Sequence, residues 1–298
     1  MRVPHDLLPP PEPVAIPARP ADGHKGTFGR VAVIAGSAPF TGAPYMTATA
    51  ALRGGAGQAR LLVARSIHPI LAVKCTEIEV SPVSDGAPGA LGSDSHREVA
   101  SALAEWATVG VIGPGMGRHP ATAQLIRLLS HTDRPLVIDA DGLNALSEDR
   151  DMLPRLGEGG RIRILTPHPG EMSRLLQRPI GESEAERQML ALDAAQNFGV
   201  VVVLKGARTV VASPDGRVAI DPHSVPALAT GGTGDILAGL IAALLAQGSD
   251  PFQAAVTGVY VHAATGRWVA DRLLSGMLAT DLLPTIPYVM QELREMGR

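Results

Sequence analysis

Short unbroken apolar runs recur along the chain, with amphipathic stretches between them. "RVAVIA" (Arg30–Ala35), "ARLLVA" (59–64), "VGVIG" (109–113), "PLVID" (135–139), "RIRIL" (161–165) and "VVVVL" (200–204) read as strands. They do not alternate apolar with polar, so both of their faces are buried, as in a parallel sheet covered on each side. Helical patterns fill the gaps at Ala43–Arg53, 120–130, 142–148, 170–176 and 183–198. Strands alternating with helices predict a layered α/β fold with a mostly parallel central sheet. "TVVASPDGRVAI" (209–220) breaks the rhythm: two β-rich runs meet at Pro214-Asp215-Gly216, a hairpin signal near the C-terminal end of the sheet. Two long helical segments, 235–247 and 253–273, are expected to close the chain.

The first twenty residues carry seven prolines, which favours an extended arm lying on the surface or on a neighbouring subunit. The expected organisation is an arm over 1–22 and one domain over 23–298. The arm lacks a signal-peptide core, and the longest apolar run, Ile236–Ala246, is too short to span a bilayer. A cytoplasmic protein without membrane contact is expected. Net charge −3 and 3% aromatic residues argue against nucleic acid as a partner. The single cysteine, Cys75, excludes an internal disulfide and a cysteine-rich zinc site, and reads as a small core residue. No structural metal is expected, because no histidine pair has zinc-ligand spacing with a carboxylate or thiol. His24, before the first strand, reads as ordering the arm. His223 falls in the loop after the hairpin, and His262 in the core.

Four strands run directly into polar or glycine-rich loops: "AGSAPFTGAP", "GPGMG", "DADGLN" and "TPHPGE". Each alone is ordinary turn chemistry. Together they collect at the carboxyl edge, where open α/β sheets bind ligands. "TGGTGD" (230–235) then opens an apolar helix. A helix N-terminus presents unpaired N–H groups, and glycines ahead of it let backbone wrap an anion. Asp235 could be a plain helix cap, but a cap needs no "GGTG" before it. The stretch fits a phosphate cradle with Asp235 as the base for an attacking hydroxyl. No lysine follows the loop, so it is not a Walker P-loop.

These residues resemble the anion hole and catalytic base of the ribokinase-like superfamily. Within it, the chain from about His24 resembles the ADP-dependent NAD(P)H-hydrate dehydratase family. The matching stretches are "HKGTFGRVAVIAGS" (24–37), "TGAPYMTATAALRGGAG" (41–57), "VIGPGMG" (111–117), "IDADGLNAL" (138–146), "TPHPGEMSRLL" (166–176), "LKGARTVVASPDG" (204–216) and "LATGGTGDILAGLIAALLAQG" (228–248). "GTGD" alone is shared with many small-molecule kinases, whereas "HKG.FG", "TPHPGE" and "KGARTVV" together are specific to this family.

The resemblance implies a ribokinase-like three-layer fold with helices on both faces of the sheet and a C-terminal β-hairpin. It implies repair of hydrated NADH or NADPH in the S epimer. ADP with Mg²⁺ phosphorylates the 6-hydroxyl, phosphate then leaves, and AMP is released. The carried-over roles make Asp235 the base and substrate contact. Ala43, Gly115, Gly117 and His168 also become substrate-binding. Lys205, Gly206, Ala207, Arg208, Thr209, Gly232, Thr233 and Gly234 become nucleotide-binding. A surface lysine is the bland alternative for Lys205, and a rigid turn residue for His168. Glu171 either holds a magnesium-bound water or caps its helix, and Asp139 and Asp141 are weaker candidates near the metal. The family's usual Asn-Pro or Gly-Asn pair before "GGTGD" is replaced by "DPHSVPALAT" (221–230), so no ligand is assigned there. The fused epimerase half that often accompanies the family is not in this sequence, so a separate epimerase is expected; the resemblance also implies a homotetramer. The rival readings are a kinase of hydroxymethylpyrimidine or hydroxyethylthiazole type and a nucleotide sensor without turnover.

Overall fold

The computed structural model describes residues 14–181, 183–273 and 276–296. Its strands are β1 (Arg30–Ile34), β2 (Gln58–Ala64), β3 (Glu79–Val83), β4 (Val109–Ile112), β5 (Leu136–Ile138), β6 (Arg163–Leu165), β7 (Val201–Leu204), β8 (Val210–Ala212) and β9 (Val218–Ile220). They form one sheet in the order β3-β2-β1-β4-β5-β6-β7-β8-β9. β3 through β7 in that order pair in parallel; β8 and β9 add antiparallel, as the expected hairpin. Every residue of β4, β5, β6 and β7 is buried. Successive side chains point to opposite faces, so both faces of the central sheet are covered.

The helices are α1 (Gly42–Arg53), α2 (His68–Lys74), α3 (His96–Trp106), α4 (Pro120–Leu129), α5 (Asp141–Ser147), α6 (Pro169–Leu176), α7 (Glu184–Phe198), α8 (Thr233–Ala246), α9 (Pro251–Leu273) and α10 (Ile286–Met296). α1, α8 and α9 pack together as one group, and α3 to α6 as another. α1 and α8 approach closely because Gly239 has no side chain: a Cβ there would lie 2.1 Å from the Thr47 carbonyl oxygen. α8 is buried continuously from Ile236 to Ala246, as its apolar run requires. None of the helices among the described residues is long and apolar enough to cross a membrane.

Four elements go beyond the sequence reading, and α10, rather than α9, is the last helix. β3, "EVSPV", sits at the sheet edge with Glu79 exposed and Pro82 inside it. An edge strand tolerates proline, because one row of its N–H groups needs no partner. α2, α3 and α10 are half-exposed surface helices, without the unbroken runs that mark the central strands. Residues 1–13 of the proline-rich arm lie outside the described residues. In the remainder, Val14 and Ile16 pack on the core and the Pro17 carbonyl accepts from Arg294 Nη2 at 3.3 Å.

At the far end of the sheet from the glycine loops, Arg163 is 1% exposed. Its Nε and Nη2 donate to the Ser130 carbonyl at 3.2 and 3.0 Å, and its Nη1 to Arg134 O at 3.0 Å and Ile162 O at 2.8 Å. Nη2 also donates to the Thr132 carbonyl. The guanidinium thus closes the C-terminal end of α4, where carbonyl dipoles converge, without a carboxylate on it. Burial pulls it down to about 10, which leaves it charged at neutral pH.

Candidate functional site

The four loops do meet at one edge, and three residues at the end of β5 organise them. Ala140 has φ +50° and ψ −118°, a backbone state that an L-residue holds only at a cost of about 1–3 kcal/mol. That turn lies between two acids with different partners. Asp139, 1% exposed, accepts from Lys205 Nζ at 2.7 Å. Asp141 accepts from the Gly117 amide at 2.8 Å and from Asn144 Nδ2 at 3.3 Å. Gly113, the first residue of the "GPGMG" turn, has φ +118°; a Cβ there would sit 2.0 Å from the Asp139 carbonyl oxygen.

On the Asp141 side, Ser37 Oγ donates to the Gly115 carbonyl at 2.8 Å, so the 113–117 loop is held from two directions. Ala43 lies in the first turn of α1. A Cβ on Gly115 would come within 3.1 Å of the Ala43 Cβ, so these two residues are neighbours. Ala43, Gly115 and Gly117 therefore form one wall. α1 also reaches the other wall, since a Cβ on Gly232 would meet Met46 Cε at 2.6 Å.

On the Asp139 side stands the cradle. α8 begins at Thr233, with Gly232 (φ +96°) as its N-cap and no side-chain cap. Asp235 is in the first turn, so it is not the cap residue. The amides of Gly231, Gly232, Gly234 and Asp235 donate to no protein acceptor among the described residues. A Cβ on Gly234 would lie 3.3 Å from Lys205 Nζ and 3.6 Å from Asp139 Oδ2. Glycine at 234 thus keeps space open between free amides, a lysine and acids. The Asp235 carboxyl accepts no hydrogen bond among the described residues. Burial pushes it up to about 7, with Asp139 adding and Lys205 opposing.

Lys205 is no surface lysine. Its side chain is 20% exposed and faces both Asp139 and, at 3.9 Å, Glu171 Oε2. Burial opposes its charge, but the two carboxylates hold its pKa above the ordinary lysine value. Glu171 caps α6: its Oε2 accepts from the His168 amide at 2.8 Å, and His168 Nδ1 accepts from Gly170 N at 3.0 Å and Glu171 N at 3.4 Å. Burial pushes Glu171 up to about 7 against Lys205. His168 is therefore a turn-capping residue through Nδ1, which places its proton on Nε2, 3.4 Å from Glu171 Oε1. Burial and then Lys205 lower its pKa, so the ring is neutral near pH 7.

A cavity of about 640 Å³ opens beside this cluster. His168, Lys205, Gly206, Ala207 and Thr209 line one side, and Thr233 and Gly234 lie at its foot. Leu228, Val225, Leu237, Val259 and Ala263 give it apolar walls. Arg208 does not line it: that residue has φ +56°, and its side chain pairs with Glu184 Oε2 at 2.6 Å. Two histidines lining the cavity had no role from sequence. His262 Nε2 lies 2.9 Å from the Thr233 carbonyl, supporting the cradle from α9, and burial pulls it down to about 4. His223 Nδ1 lies 2.8 Å from Asp221 Oδ1, and both residues are buried. The Asp-x-His spacing in "DPH" is the only local signal for the second pair. The His262 contact spans 29 residues and leaves no local trace.

Comparison with known proteins gives this geometry a context. The family model described as NAD(P)H-hydrate dehydratase matches residues 31–288. The chain is 45% identical over 282 residues to the bifunctional NAD(P)H-hydrate repair enzyme of Moorella thermoacetica, covering 94% of this chain and 52% of that one. It thus spans about half the length of that relative. Against the ADP-dependent (S)-NAD(P)H-hydrate dehydratase of Neisseria meningitidis it is 36% identical, covering 91% of this chain and 88% of the relative. Among solved structures it resembles the ADP/ATP-dependent NAD(P)H-hydrate dehydratase of Bacillus subtilis, co-crystallized with ATP/Mg2+. There the identity is 31%, the TM-score 0.78, and the match covers 93% of this chain and 94% of that chain. A hydroxyethylthiazole kinase from Pyrococcus horikoshii, 19% identical over 88% of this chain and 89% of its own with a TM-score of 0.58, shares the fold.

Proposed function

Because the chain belongs to the NAD(P)H-hydrate dehydratase family and has its ribokinase-like fold, we propose that it dehydrates (6S)-hydrated NADH and NADPH at the expense of ADP. The observation that carries this reading is the Asp235 carboxyl, without a hydrogen-bond donor among the described residues and within the field of Lys205, next in the chain to Gly234 at the foot of a nucleotide-sized cavity. ADP occupies the cavity with its phosphates toward Gly232–Gly234. The hydrated nicotinamide lies against Ala43, Gly115 and Gly117. Asp235 takes the proton of the 6-hydroxyl, whose oxygen attacks the β-phosphorus. The bond from that phosphorus to the bridging oxygen breaks, and AMP leaves. Phosphate then departs from C6 and a proton from C5, restoring the ring double bond. The first step makes a poor leaving group into a good one. The cradle supplies positioning and charge stabilisation, which dominate phosphoryl transfer.

Magnesium fits this donor set as a hard cation that arrives on phosphates and keeps most of its waters. Glu171, already engaged as the α6 cap, would also hold one such water, and the ion would neutralise charge on the transferred group. Asp139 is engaged by Lys205 and sets that lysine's position. The working form is a homotetramer in the cytoplasm, and epimerisation of the R form belongs to a separate protein or domain. Sedimentation of the purified chain checks the tetramer.

Hydrated NADH incubated with ADP and Mg²⁺ should regain the absorbance of the reduced ring while AMP and phosphate appear in equal amounts. A phosphorylated alcohol that accumulates instead would mark a kinase, and binding without turnover a sensor. The pH profile offers a second check. Asp235 must be ionised to act, so kcat/KM should rise with pH through about 7. Lys205 favours the ionised form and Asp139 opposes it. Lys205→Met should therefore move this limb to higher pH, and Asp139→Asn should move it lower. Equal shifts in one direction would remove Asp235 as the titrating base.

A further inference from the structure

The segment that bears Lys205 has an unusual shape, and its cause lies on α7. Gly206 has φ +151° and Arg208 φ +56°, so the chain at 205–208 does not rest in ordinary extended or helical backbone. Four carbonyls of this stretch converge on a single side chain. Arg187 Nη1 donates to Ala207 O at 2.7 Å and to Arg208 O at 3.4 Å. Its Nη2 donates to Leu204 O at 3.2 Å and to Lys205 O at 3.4 Å. The planar fork of a guanidinium spreads five N–H donors and can serve four acceptors at once, whereas an ammonium offers three donors from one point. Glycine at 206 answers to the same contact, since a Cβ there would lie 2.8 Å from Arg187 Nη2. One turn earlier on α7, Glu184 pairs with Arg208. That first turn is itself fixed by a capping box between Ser183 and Glu186.

We infer that Arg187 is the positioning residue of the nucleotide loop, holding 204–208 in the shape that binds ADP without touching the reacting atoms. This rests on the reading of 205–209 as nucleotide-binding. By gathering the carbonyls, Arg187 keeps their negative ends off the cavity and leaves Gly206, Ala207 and Thr209 to line it. An anionic ligand then meets the lysine and amides rather than carbonyl oxygens. Without the guanidinium, four acceptors lose their donor, and the loop must be reordered each time ADP binds.

The test compares Arg187→Met, Arg187→Lys and Ala207→Glu with the parent enzyme, by steady-state kinetics, ADP titration calorimetry and thermal melting. Arg187→Met should raise both the Kd and the KM for ADP by about tenfold or more, the size expected from losing charge-assisted hydrogen bonds. Its kcat should stay within about threefold and its KM for hydrated NADH should not move. Arg187→Lys should recover part of the ADP affinity, since one ammonium restores some of the donors. Ala207→Glu, which puts an acid into the cavity, should abolish ADP binding. If Ala207→Glu binds ADP normally, the nucleotide reading of the loop fails and the inference falls with it. If Ala207→Glu blocks ADP but Arg187→Met leaves its Kd within twofold, the inference alone is overturned. Equal rises in both KM values with a falling kcat and melting point would make Arg187 merely structural.

Discussion

Asp235→Asn should cut turnover on the order of 10²-fold or more while ADP binds as tightly as before. The amide keeps the volume of the acid but cannot take the proton of the 6-hydroxyl. Helix α8 should not suffer, because its N-cap is Gly232 and Asp235 makes no capping hydrogen bond. Stability should change in the opposite direction from activity. The carboxyl sits near 7 in the folded protein, well above an acid in an unfolded chain. Folding therefore favours its protonated form, and this contribution is lost as pH rises through about 7. At pH 8 the asparagine variant should melt higher than the parent, and the difference should shrink on acidification towards pH 4. Calorimetric ADP titration, turnover of hydrated NADH and melting at both pH values test this together. Near-normal turnover would leave the chemistry needing another base. Collapse of ADP binding along with activity would point to an acid that holds magnesium.

Arg163→Met should give the largest loss of stability, about 3–5 kcal/mol, with the KM for both substrates unchanged in the folded fraction. Methionine fills much of the space but donates nothing. The buried Ser130 carbonyl and the part-buried carbonyls of Thr132 and Arg134 would then be left without the guanidinium. Ile162 O keeps a second donor, the Leu136 amide at 3.0 Å. Arg163→Lys retains the charge with fewer donors in a different geometry, and should fall between the two. Urea unfolding midpoints measure the series. A loss below about 1 kcal/mol would mean that water enters and satisfies the carbonyls.

Both predictions concern residues whose surroundings differ in how well the sequence exposes them. The central strands were legible because burial on two faces writes an unbroken apolar run, and the hairpin because Pro214-Asp215-Gly216 marks its turn. β3 was not, because Pro82 and alternating polar residues are what an exposed edge allows. The cradle at 230–235 was legible because all its parts are consecutive. The Asp139–Lys205 pair joins residues 66 positions apart, and Arg187 reaches across about 20. Such contacts depend on which strands become neighbours, and no local pattern records that. His168 shows a related limit. Its motif was visible, but the two amides its Nδ1 serves became evident only with the turn folded.

The strained turn at Ala140 has a consequence for how this protein can change. Asp139 is tied to the lysine on the nucleotide side, and Asp141 to the glycine loop on the side assigned to the damaged cofactor. On the proposed placement of the two co-substrates, three consecutive residues would register one against the other, much as two jaws are set by one hinge pin. Either jaw can be reshaped alone: new side chains along 221–230 would alter which nucleotide fits, and changes around residues 37–43 would alter which hydrated ring fits. Lengthening the segment between the two acids by a single residue would be different. It would leave each ligand its own contacts and still carry the hydroxyl out of line with the phosphorus, so that both would bind and neither would react.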